Sequence, residues 1–158
     1  MDSSDTIMIA DSTDGGNVVS QPDETISQQQ HGAAIVLIAE DEEPIAETLA
    51  LIIADAGYTV LMATHGRQAL ELARTHRPSL IITDLMMPYI DGATLIAELR
   101  NDSLTSGTKP IPIVLMTAAG KSRTFGIDAD AILPKPFDVE EVEALLSRFL
   151  NPSHVHAQ

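Results

Sequence analysis

The chain has no cysteine and no tryptophan, three phenylalanines and two tyrosines, and only nine Lys and Arg against 23 Asp and Glu. Each scarcity excludes something. Without cysteine there is no disulfide framework, no thiolate zinc site and no thiol nucleophile, a composition that suits a reducing compartment. The net charge of -14 argues against a nucleic-acid surface, which needs clustered cations. Here the basic residues are scattered, with Lys121 and Arg123 standing close together. Long apolar runs are also missing, the longest being Ala33 to Ala39, and Met1-Asp2-Ser3-Ser4-Asp5 has no basic character. Neither a membrane span nor a signal peptide is expected, and the expected location is the cytoplasm.

What is present divides unevenly. Residues 1–32 hold six acids and no Lys or Arg, and they are rich in Ser, Thr and Gln. Too few apolar side chains stand there to offset the entropy of ordering, so the stretch reads as a disordered acidic tail. Residues 151–158 read as a flexible end, whose His154 and His156 are not taken as a metal site. The rest, residues 33–150, is long enough for one domain.

Within that domain two periods alternate. Apolar runs at Ala33 to Ala39, Tyr58 to Ala63, Leu80 to Thr83, Ile111 to Met116 and Ala131 to Leu133 read as buried strands. Between them, Ile45, Leu49, Ile52, Ile53 and Ala56 follow helical spacing up to Gly57, a C-terminal capping glycine. Arg67 to His76 repeats the pattern, and Asp91 to Arg100 does so behind an Asp cap. The polar stretch Arg100 to Lys109 reads as a long loop. Asp138 and Glu141 form a capping box ahead of Val142, Leu145, Leu146 and Phe149. Strands alternating with helices predict an α/β fold whose parallel sheet is covered on both faces. Ligands then gather at the carboxyl ends of the strands.

Those ends carry chemistry. Glu40 and Asp41 follow the first strand, Asp84 the third, Thr117 the fourth and Lys135 the fifth. Three carboxylates brought together repel one another unless a cation joins them. A hard divalent ion suits such a trio, Mg²⁺ first and Mn²⁺ as its substitute. A Lys and a Thr alongside can serve phosphoryl oxygens, and an Asp can itself be the nucleophile. Other α/β chemistries fit poorly. A dinucleotide enzyme or a flavodoxin needs a phosphate-binding turn after the first strand, where Glu40-Asp41-Glu42-Glu43 would repel it. An aspartate-nucleophile phosphatase leaves Asp84 unexplained.

The segments Ile35 to Glu42, Leu80 to Gly92 with its Asp84-Leu85-Met86-Met87-Pro88, Ile113 to Ala118, and Leu133-Pro134-Lys135-Pro136-Phe137 together resemble a response-regulator receiver domain of two-component signalling. The resemblance covers residues 33–150. It implies a flavodoxin-like, doubly wound, five-stranded parallel sheet of order 2-1-3-4-5. It also implies that Asp84 is the phosphoacceptor, that Glu40 and Asp41 with the backbone carbonyl of Met86 complete the metal site, that Thr117 is the switch hydroxyl and that Lys135 contacts phosphate. The Lys135-Pro136 bond is expected to be cis. A histidine kinase or histidine phosphotransfer protein is the implied donor.

Two departures stand out. Ile132 occupies the place where the family usually has an aromatic switch residue, and Phe125 is a candidate to replace it. Between Thr117 and Lys135 the segment Gly120 to Gly126 has two glycines and little apolar period, so the fourth helix is expected to be short or irregular. No output module is expected after residue 150, which makes a single-domain response regulator that signals through an unknown downstream protein the first expectation. The alternatives are a phosphorelay intermediate or phosphate sink, and a phosphorylation-independent interaction domain.

Overall fold

A computed structural model describes residues 33–151 together with the short segment Ile7–Met8. Apart from Ile7, Met8 and Asn151, the two expected tails lie outside the described residues.

Five strands alternate with helices: β1 (Ile35–Ala39), α1 (Glu43–Asp55), β2 (Thr59–Ala63), α2 (Gly66–His76), β3 (Leu80–Asp84), α3 (Gly92–Ser106), β4 (Ile113–Thr117), β5 (Ala131–Pro134) and α4 (Val139–Leu150). All pair in parallel in the order β2-β1-β3-β4-β5, as expected. A sixth, two-residue strand lies outside β2, where Ile7 pairs with Val60 and Met8 with Leu61. The composition of residues 1–32 gave no sign of it, because one short apolar island among polar residues has no period to read.

The unbroken apolar runs are explained by two cores. Leu37, Ile81, Ile113 and Leu115 point to one face, where Leu70, Leu72, Leu95 and Ile96 of α2 and α3 cover them. Their neighbours Val36, Ile38, Ile82 and Val114 point to the other, against Leu49 and Ile53 of α1 and Val142 and Leu146 of α4. Period two therefore puts every second residue in a different core, and both positions must be apolar. Full burial of each such side chain is worth about 1.5–3 kcal/mol.

Helix ends follow their local chemistry. The Asp138 carboxylate accepts from the Glu141 amide, and the Glu141 side chain accepts from the Asp138 amide, closing the expected box. Asp91 caps α3 through the Thr94 amide. That helix does not stop at Arg100. It continues to Ser106, and Gly107 ends it in the left-handed conformation (φ 74°), so the expected Arg100–Lys109 loop is corrected to a shorter connection. Thr105 and Ser106 hydroxyls return hydrogen bonds to the Asn101 and Asp102 carbonyls, and Asp102 pairs with Arg74 of α2 at 2.7 Å. The Arg74 contact and the Gly107 cap thus hold a helical end in a segment whose residues have modest helix propensity.

Between β4 and β5 the expected weak helix is a single 3-10 turn, Lys121–Thr124. Ile127 and Ala129 pack there against the core edge instead of a helix face. Ile132, paired in register with Leu115, is left 43% exposed. Arg100 braces this region by donating to the Ile111 and Asp128 carbonyls and to the Asp130 carboxylate. The Lys135-Pro136 bond is cis. No helix among the described residues is long and apolar enough to cross a membrane.

Candidate phosphoryl and metal site

Because the strands run parallel, their carboxyl ends open on one edge, and β1, β3, β4 and β5 bring their terminal residues together there. Asp84 ends β3 and Thr117 ends β4, while Glu40 and Asp41 follow β1 and Lys135 follows β5. Backbone bonds fix these junctions: Leu85 N donates to Met116 O at 3.1 Å, Lys135 N to Thr117 O at 3.0 Å, and Glu40 N to Ala63 O at 3.1 Å. Gly92 lies so close to the Asp84 carbonyl that a Cβ there would collide with it.

The side chains converge. One oxygen each from Glu40, Asp41 and Asp84 lie within 4.8 Å of one another. Lys135 Nζ bridges Glu40 Oε1 and Asp84 Oδ1, both at 2.9 Å. Glu40 Oε2 accepts from the Glu42 amide at 3.0 Å. Glu40 and Asp84 are buried, whereas Asp41 stands exposed at the rim. Thr117 is buried, and its hydroxyl oxygen accepts from the Ala119 amide at 2.9 Å, which leaves its proton free to be donated. A cavity of about 390 Å³ opens over this group, with Met86 and Arg123 also in its wall.

Electrostatics follow from the crowding. Burial pushes the Glu40 carboxyl above its ordinary value; the Lys135 ammonium and Glu42 amide oppose this, and the nearby Asp84 charge adds to it. For Lys135, burial alone would lower the ammonium, but its bonds to Glu40 and Asp84 together outweigh burial and raise it. Lys135 therefore stays charged. The donor set fits a hard divalent cation, since carboxylate oxygens from three residues meet within the span of one ion's coordination shell. Such an arrangement can bind Mg²⁺, hold phosphoryl oxygens with Lys135 and Thr117, and offer an Asp84 oxygen as nucleophile.

The five site side chains expected from the sequence, Glu40, Asp41, Asp84, Thr117 and Lys135, are brought together, whereas Phe125 stands outside the group and is 88% exposed. The Met86 side chain is 64% exposed. Two features went unread. Arg123 reaches the cavity wall from the 3-10 turn, and the only signal for it was a pair of bases, Lys121 and Arg123, in a segment without period. His65 caps α2 by accepting from the Gln68 amide and packs edge-on against Tyr89 with ring centroids 4.9 Å apart. Tyr89 holds the left-handed region at φ 70°, a conformation that costs a non-glycine residue roughly 1–2 kcal/mol, beside the loop that leaves Asp84.

Comparison with known proteins matches residues 36–147 to the family described as the response regulator receiver domain. The DNA-binding dual master transcriptional regulator RpaA of Synechocystis is 40% identical over 72% of this chain and 49% of its own length. The chain thus spans about half the length of that curated relative. Among solved structures, the chemotaxis response regulator CheY4 of Vibrio cholerae is 30% identical with a TM-score of 0.66, over 74% of this chain and 98% of that one. The receiver domain of a signal transduction histidine kinase from Syntrophus aciditrophicus is 31% identical with a TM-score of 0.67, over 76% and 92% respectively.

Proposed function

Since the chain belongs to the response regulator receiver domain family, we propose that it accepts a phosphoryl group on Asp84 and signals by phosphorylation-dependent protein binding. One observation carries the reading: three carboxylates at the ends of β1 and β3 meet within 4.8 Å, with Lys135 bridging two of them. Glu40, Asp41, Asp84 and the main-chain carbonyl of Met86 would hold Mg²⁺, or Mn²⁺ in its place. When bound, the ion supplies positive charge at the phosphoryl oxygens.

The chain's own groups do the rest. An Asp84 carboxylate oxygen attacks the phosphorus of a phosphohistidine on a histidine kinase or phosphotransfer protein. The new P–O bond forms as the P–N bond breaks, and the imidazole nitrogen leaves with that electron pair. Lys135 Nζ, already 2.9 Å from Asp84 Oδ1, follows the phosphoryl oxygens, and the Thr117 hydroxyl donates its free proton to one of them. In hydrolysis a water oxygen bonds to phosphorus, the P–O bond to Asp84 breaks, and the carboxylate returns as inorganic phosphate leaves. The proposed setting is the cytoplasm, with no nucleic acid and no membrane insertion involved. Phosphorylation would shift an existing equilibrium between two surfaces, and a downstream protein would bind one of them.

A phosphorylation-independent interaction domain is the second reading, favoured by the 3-10 turn that replaces a helix beside exposed Ile132. Intact-protein mass spectrometry after incubation with acetyl phosphate separates the two. The expected result is a Mg²⁺-dependent gain of one phosphoryl group that Asp84→Asn abolishes. No gain from acetyl phosphate or from a histidine kinase, with Mg²⁺ bound, would overturn the phosphoacceptor reading.

A further inference from the structure

We propose that Arg123 is a second phosphoryl-contacting cation of this site, a role that rests on the Asp84 reading. Its place comes from the fold. The chain leaves β4 through Thr117, runs extended at Gly120 (φ -73°, ψ 176°), and makes one 3-10 turn closed by Arg123 N donating to Gly120 O at 3.0 Å. That turn puts Arg123 on the wall of the 390 Å³ cavity whose other walls include Asp84, Thr117 and Lys135.

The side chain is uncommitted. Among the described residues Arg74, Arg100 and Lys135 each bind carboxylates, whereas Arg123 is in no ion pair and is exposed. An arginine that shares a cavity wall with Asp41 and Glu42, yet is bonded to neither, is placed for a stronger anion than a solvated carboxylate. The phosphoryl group is that anion. Its oxygens match the planar guanidinium fork, which gives two parallel hydrogen bonds where a lysine gives a point charge.

Charge balance points the same way. With Glu40, Asp41 and Asp84 ionised, Lys135 and one divalent cation bring the inner group to neutrality. Phosphorylation exchanges a singly charged carboxylate for a group carrying about -1.5 to -2, so up to about one negative charge is left without a partner. Lys135 cannot supply it twice. Among the described residues, Arg123 is the other cation on the cavity wall.

The turn also links two places. A second cavity of about 620 Å³, lined by Thr117, Ala119, Phe125, Ile132 and Pro134 among others, lies against the same segment. Thr117 and Ala119 line both cavities. Phe125 follows the turn and is 88% exposed. Drawing Arg123 to the phosphoryl group therefore pulls on the segment that carries Phe125, a route that does not need an aromatic ring at position 132.

The test uses the full chain and beryllofluoride with Mg²⁺ as the phosphoryl mimic, after acetyl phosphate labelling has been scored on wild type and Asp84→Asn. Absence of labelling on wild type from both acetyl phosphate and a histidine kinase, with Mg²⁺ bound, would overturn the Asp84 reading and this proposal with it. Given labelling, Arg123→Ala is expected to bind beryllofluoride about tenfold more weakly, the factor lost with one charge-assisted contact. Its Mg²⁺ affinity should be unchanged. Arg123→Lys should recover part of the loss, and Lys109→Ala, an exposed cation away from the cavity, should show none. Because the chain lacks tryptophan, Phe125→Trp gives a single tryptophan, excited selectively, whose emission shift on beryllofluoride binding should vanish when Arg123→Ala is added. Wild-type affinity in Arg123→Ala, an equal loss in Lys109→Ala, or a parallel loss of Mg²⁺ affinity would each overturn the proposal while leaving the Asp84 reading intact.

Discussion

At the scale of single residues, Glu40 shows how the site's chemistry works against its stability. Burial raises its carboxyl above the ordinary 4.5, with Lys135 and the Glu42 amide only partly opposing this. A carboxyl raised on folding binds its proton more tightly in the folded state. The resulting stability is fully present below the unfolded value and is lost as pH rises through the folded one. At neutral pH an ionised Glu40 is therefore a cost that metal binding would offset. In chelator at pH 7, Glu40→Gln should melt above wild type, and the gap should close as pH falls toward 4.5; circular dichroism melts at the two pH values check this. A variant that melts lower at pH 7 would mean that the Lys135 bond outweighs burial. The residues of this inner group were legible because each stands where an apolar run stops: one such residue is usually a cap or a turn former, but five at the ends of four runs in one chain point to a shared site. Arg123 and the His65–Tyr89 contact were not. They arise from loops whose mutual approach depends on the whole sheet, and no spacing in the sequence encodes that distance.

At the scale of elements, the same contrast separates α1, α2 and α4 from the region around β5. The three helices carry apolar positions at helical spacing, and the capping box of α4 and the glycine after α1 are written in local sequence. The end of α3 is set by partners instead. Asn101 to Ser106 has little apolar period, yet Arg74 holds Asp102 from α2. The Arg74–Asp102 pair is exposed, so Arg74→Ala is expected to cost under about 1 kcal/mol, less at high salt. Its pH dependence has the opposite sign to that of Glu40. The hydrogen bond from Arg74 lowers the Asp102 carboxyl, so the contribution is present above the ordinary value of 3.8 and is lost as pH falls through the folded one.

Arg100 carries more. Its side chain is 18% exposed and joins α3 to the start of β4 and to the approach to β5, through Ile111 O at 3.0 Å, Asp128 O at 3.0 Å and Asp130 Oδ2 at 2.8 Å. Asp130 in turn accepts from the Ile113 amide at 2.8 Å. A brace of this kind replaces the packing that a helix face would have supplied. Arg100→Met should lower stability by about 1–3 kcal/mol, the range for leaving such partners unsatisfied, as read in urea unfolding. A change within about 0.5 kcal/mol would place the burden on Ile127 and Ala129 packing instead.

At the scale of the whole molecule, a net charge of -14 meets a fold that gathers its innermost acids at one end of the sheet. Two effects of added salt follow, and they can be told apart. General screening of self-repulsion should raise the melting temperature in sodium chloride. Magnesium chloride at the same ionic strength should raise it further, because an ion that binds only the folded site stabilises by mass action, by about 2.7 kcal/mol at a hundredfold excess over Kd. The second increment belongs to three side chains, whereas the first belongs to the entire surface. Asp41→Asn, which removes the exposed rim carboxylate, should therefore abolish most of the magnesium-specific increment and leave the sodium response as it was. Equal melting temperatures for wild type in the two salts would show that the three acids do not act as a single site, and the phosphoryl chemistry built on them would lose its cation.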